Sequence, residues 1–170
     1  MKIIALLILG SFVSGLDAQD DCPLSRKVYK ELDRVFDQSV TTDPFQITED
    51  AKGLDDYLYD YDCLFELSSA GERIGFLIKT KALGRFEYFD YIVVFSPEKQ
   101  VLGVSVIQYR SDHGAGICQR NWLKQFKGYN GERLEIGKDI DGVSGGTISA
   151  ASLASDIQRC HQLLSLITAY

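Results

Sequence analysis

The chain has 170 residues, 45% of them hydrophobic and 25% charged, which fits one domain with a genuine core and excludes wholesale disorder and coiled-coil composition. Eighteen Lys and Arg stand against 24 Asp and Glu, giving a net charge of -6 and a pI near 4.9, and no Lys/Arg cluster interrupts the acidity. A nucleic-acid binder needs a basic stripe to displace counterions from phosphates, so that class is excluded, and two His with four Cys leave little for a multi-ligand metal site.

Lys2, the apolar run Ile3 to Val13 and the small and polar residues up to Gln19 have the charge, core and exit order of a secretory signal peptide. Cleavage is expected after Ala18, with Gly15 as the alternative. The run is too short to span a bilayer, and no later stretch is long enough, so an exported chain without a transmembrane segment is expected, periplasmic or extracellular. Loss of residues 1–18 removes one base and one acid and leaves the charge at -6. Cys22, Cys63, Cys118 and Cys160 then face an oxidising space, where three pairings are possible and spacing chooses none. The absence of a C-x-x-C pair argues against zinc-ribbon and thioredoxin-like folds.

Asp21 can cap, and Pro23 can start, a helix through Gln38 whose Leu24, Val28, Leu32, Val35 and Phe36 share one side. From Val40 to Asp62 the chain is acidic and tyrosine-bearing and reads as a solvated connection. Cys63 to Ser68 reads as a strand, Ser69 to Gly71 as a turn, and Ile74 to Thr80 as a second strand. Phe86 to Phe95 and Val101 to Tyr109 form a further hairpin across Ser96 to Gln100. A glycine loop at Gly114 and Gly116 leads to a short helical piece with Trp122, Leu123 and Phe126, then to a short strand, Arg133 to Ile136. Ile148 to Tyr170 is a long amphipathic helix with Leu153, Ile157, Cys160, Leu164 and Ile167 on one side. The fold class is α+β, an antiparallel sheet with an N-terminal helix and a long C-terminal helix, in one domain.

The run Asp141-Gly142-Val143-Ser144-Gly145-Gly146-Thr147-Ile148-Ser149 stands directly before that last helix. Unpaired N–H groups and the positive end of the helix dipole favour a phosphate there, although hydroxyl and acidic residues before helices also serve as caps and glycines as turns. The spacing is neither the dinucleotide fingerprint nor the P-loop, since no lysine follows the glycines.

This run resembles the motif of the FMN-binding domain family, which includes the flavin-bearing subunits of sodium-translocating NADH:quinone reductase and of the Rnf electron-transport complex. The family motif is an acid, two variable residues, Ser or Thr, Gly, Ala, then a Thr esterified to the FMN phosphate by a flavin transferase. By that resemblance Thr147 is the attachment site, Asp141 the motif acid, and Ser144 and Gly145 the turn; Gly146 replaces the usual Ala, a change the backbone is expected to tolerate. A second resemblance lies in Tyr109 to Gly116 followed by Trp122, Leu123, Gln125 and Phe126, although Ser111, Asp112 and His113 replace the Glu-Thr-Pro-Gly loop of the respiratory subunits.

The likeness spans roughly residues 70–168, so 70–170 is expected to be the FMN-binding core, with 19–69 its N-terminal helix, acidic loop and first strand. The implied cofactor-binding set is Asp141, Ser144, Gly145, Gly146, Thr147 and Ser149, with His113, Gly114, Gly116 and Trp122 toward the ring; Phe126 is a further candidate for the aromatic wall. His161, inside the last helix, reads as packing. The implied function is an exported flavoprotein relaying electrons between redox partner proteins, matured by a flavin transferase, more an electron carrier than an enzyme with its own substrate. Its rival is an exported binding module that retains the fold without flavin. A hydrolase built on Ser144 lacks a recognisable His and Asp arrangement.

Overall fold

The computed structural model describes residues 22–47 and 53–168; the expected signal peptide lies outside them. Helix α1 (Arg26–Phe36) has Ser25 at its N-cap position, later than the expected start at Pro23, and turns Val28 and Leu32 fully inward; Asp21, the expected cap, lies outside the described residues. It ends where Asp37 takes a left-handed conformation and its N–H bonds the Asp33 carbonyl.

Five strands follow, β1 (Thr41–Pro44), β2 (Cys63–Ser69), β3 (Glu72–Leu83), β4 (Tyr88–Phe95) and β5 (Val101–Gln108), and they form one antiparallel sheet in sequence order. The β2–β3 turn is Ala70-Gly71, both at positive φ, which gives the hairpin the twist its strands need. Helix α2 (Arg120–Leu123) and helix α3 (Thr147–Ile167) complete the chain.

The sheet is buried on both sides. Leu64, Phe76, Ile78, Tyr91, Val93 and Phe95 pack under α3 through Leu153, Ile157 and Leu164, while Phe65, Leu67, Leu77, Ile92 and Val94 pack under α1. Two covered faces explain why β4 reads Tyr-Ile-Val-Val-Phe without polar alternation. Cys22 and Cys63 form a disulfide that ties the start of α1's segment to β2, leaving Cys118 half-buried and Cys160 buried as free thiols.

Two expectations are corrected here. Within the acidic segment Thr41–Pro44 is a strand, invisible in pattern because it is short and joins the sheet edge through backbone pairing alone. Arg133 to Ile136 is not a strand: among the described residues its one ladder contact is an isolated bridge between Ile136 and Ile140, and the Leu134 N–H donates to the Gln158 side chain instead. The acidic segment is also not wholly solvated, because Asp62 at its end is buried against Arg159 of α3. Burial disfavours the guanidinium charge, yet the hydrogen bonds it donates to Asp156 and Asp62 outweigh it and hold the Arg159 pKa above its usual range. No helix among the described residues is long and apolar enough to cross a membrane.

Candidate functional site

The first turn of α3 has no side-chain cap: Gly146 occupies the N-cap position, and the Thr147, Ile148 and Ser149 N–H groups have no hydrogen-bond partner among the described residues. Gly145, at φ 68°, reverses the chain before it, and the Gly146 N–H bonds the Val143 carbonyl at 2.9 Å. A cavity of about 220 Å³ opens at this helix end, lined by Gly145, Gly146, Thr147, Ile148 and Ser149 together with Arg85 and His113. Thr147 is exposed to it.

Three contacts hold this end in place. Gly114, at φ 80°, lies so close to the motif that a Cβ on it would stand 3.0 Å from the Gly146 Cα and 2.9 Å from the Tyr109 hydroxyl. Tyr109 donates to the His113 carbonyl at 2.6 Å, and since a phenol has one proton, Ser149 is the donor in the 3.0 Å bond between the two hydroxyls. Trp122 donates from Nε1 to the Asp141 carbonyl at 2.7 Å, and the Asp141 N–H donates to Gln125 at 2.9 Å, so α2 and the turn after it clamp the motif's first residue.

The expected residues therefore separate. Gly145, Gly146, Thr147, Ser149 and His113 meet at the cavity. Gly114 and Gly116 pack behind it, Gly116 against Val143. Ser144 and the Asp141 side chain are exposed beside it. Trp122 is 7% exposed and Phe126 fully buried, edge to face with each other in the core, so Trp122 reaches the motif as a backbone anchor. His161 packs against Tyr129 and Phe95.

Two residues were missed. Arg85, at the exposed tip of the β3–β4 hairpin, brings a cation to the cavity with its guanidinium over Phe86, and nothing in a lone turn arginine announces that the hairpin ends at α3. Tyr109 is the other; it stands in the motif-like stretch after β5, but its hydroxyl partner Ser149 is distant in sequence. Ile148, which lines the cavity, is 55% exposed, and Phe86, under the Arg85 guanidinium, is 69% exposed.

The fold is similar to that in the crystal structure of NqrC from Shewanella oneidensis, with a TM-score of 0.51 at 15% sequence identity, covering 86% of this chain and 93% of that one. At that identity the likeness establishes the fold. No protein-family model matches the chain, and no curated protein does.

Proposed function

We propose that this chain is an exported flavoprotein that carries FMN through its phosphate on Thr147 and relays electrons between redox partner proteins. The observation that carries the reading is the cavity where an exposed threonine hydroxyl, three unclaimed N–H groups and the Arg85 guanidinium meet at the positive end of a 21-residue helix. The motif resemblance over Asp141 to Ser149 and the fold shared with NqrC support it from separate directions.

The residues present fit a phosphoester. Thr147 supplies the ester oxygen, the first-turn N–H groups and Arg85 offer donors to the anionic oxygens, and Gly145 leaves open space where a Cβ would meet nothing. Gly146 suits this chain better than alanine, since a Cβ there would press on Val143 and on Gly114. The departure from the family motif is thus matched by the close approach of the loop. Ile148 at the cavity and Phe86 beside Arg85 offer exposed apolar surface to a ring system, whereas Trp122 and Phe126, expected with the Gly114 to Gly116 loop to form that wall, are buried. When bound, a flavin supplies reversible one- and two-electron transfer; the protein supplies tethering, orientation and electrostatics.

The test is visible absorbance and intact mass of the protein co-produced with a flavin transferase, beside Arg85→Glu. A yellow wild type heavier by one esterified FMN, with markedly lower labelling of Arg85→Glu, is expected. A colourless, unmodified wild type, where a known family member is labelled, leaves the flavin-free binding module as the better account.

A further inference from the structure

On the opposite face of the sheet from α3 lies a second cavity of about 240 Å³, between α1, the β4–β5 edge and α2. Gly103 and Ser105 of the edge strand β5 pair with Val94 and Ile92 and so face the α1 side, where both line the cavity. Val35 closes over Gly103, since a Cβ there would stand 3.0 Å from it, and Ser105 is the small side chain beside the open space. The floor is apolar, built from Val35, Ile92, Val94 and Leu102.

The rim is cationic. Arg34, Arg120, Lys124 and Lys127 stand around the opening against one carboxylate, Glu31, in a protein whose net charge is -6. Glu31 is already engaged, by Arg34 in an ion pair and by Arg120 at 3.4 Å. Lys124 and Lys127 have no ion-pair partner among the described residues, and both are exposed, at the two ends of the 3-10 turn that follows α2. Apolar walls select a hydrocarbon, and an unneutralised cationic mouth selects an anionic head. The volume admits one short chain rather than a macromolecular segment.

We propose that this cavity binds a medium-chain aliphatic carboxylate, its tail on Val35, Ile92, Val94 and Leu102 and its carboxylate at Lys124 and Lys127. The site is separate from Thr147 and stands whether or not the chain carries flavin.

Calorimetric titration of the purified full chain with octanoate, decanoate and decanol tests it. Decanoate is expected to bind saturably, about fourfold more tightly per added methylene than octanoate, and at least tenfold more tightly than decanol. Ser105→Leu, which fills the cavity, and the surface pair Lys124→Glu with Lys127→Glu are each expected to weaken decanoate at least tenfold; the lysine pair is exposed, so its folding is not at issue. Absence of saturable binding overturns the proposal, as does binding indifferent to the lysine pair. Association with anionic phospholipid vesicles but not with free decanoate overturns it too, in favour of a membrane contact.

Discussion

Tyr109 and Ser149, just after β5 and in the first turn of α3, share a 3.0 Å hydrogen bond, and the same phenol donates to the His113 carbonyl at 2.6 Å. One hydroxyl therefore fixes the loop after β5 to the helix end that bears Thr147. Tyr109→Phe removes both bonds and is expected to cost about 1–3 kcal/mol, read by urea denaturation. Ser149→Ala, which leaves the bond to His113, is expected to cost less. Hydrogen exchange over residues 111–116 should accelerate in Tyr109→Phe, and unchanged protection there would show the loop is held by other means.

The approach of Gly114 to Gly146 gives a second, ordered expectation. Gly146 sits at φ -121°, a conformation alanine adopts, so Gly146→Ala faces only crowding against Val143 and Gly114, about 1–3 kcal/mol. Gly114→Ala adds a left-handed backbone at φ 80° to a similar crowding and should be the more destabilising of the two. Thermal melts of both variants give the order, and a Gly146→Ala chain at least as stable as wild type would contradict the packing described.

Asp62 joins the acidic segment to α3. Its carboxylate accepts from Arg159 at 2.7 and 3.1 Å, from the Tyr59 N–H at 2.9 Å and from Thr80, with no exposed side-chain surface. Asp62→Ala leaves a buried guanidinium short of a partner and is expected to cost about 3–5 kcal/mol. Adding Arg159→Met should cost much less than the sum of the two single changes, a coupling that denaturant midpoints of the double-mutant cycle measure.

The element pattern is largely legible in the sequence because the helices and β2 to β5 are written in apolar periodicity: Val28 and Leu32 on α1, Leu153, Ile157 and Leu164 on α3, alternating Phe76 and Ile78 on β3. Thr41–Pro44 carries no such signal because an edge strand can pair through its backbone alone. The Thr147 motif is likewise legible, since its glycines and hydroxyls are contiguous. Arg85 and the Trp122 anchor are not, because each depends on which distant element it meets: a hairpin tip on a helix start, an indole N–H on the Asp141 carbonyl.

His161 supplies a pH dependence. Burial, with Lys99 adding its charge, holds its pKa below the usual 6.5, and Gly131 presses so close that a Cβ there would stand 2.5 Å from the imidazole. The unfolded chain therefore takes up this proton more readily, and protonation favours unfolding. The contribution is absent above about pH 6.5 and destabilises progressively as pH falls below it toward the depressed folded value. His161→Gln should flatten that part of the stability profile relative to wild type; equal slopes in both proteins below pH 6.5 would show that His161 is not the cause.

Peptide mass mapping of the chain co-produced with a flavin transferase tests whether Thr147 holds a flavin phosphoester. FMN mass on the peptide containing Thr147 is expected, with colour that survives denaturation and loss of both in Thr147→Ala. An unmodified Thr147 peptide, with a known family member labelled in the same cells, would contradict it.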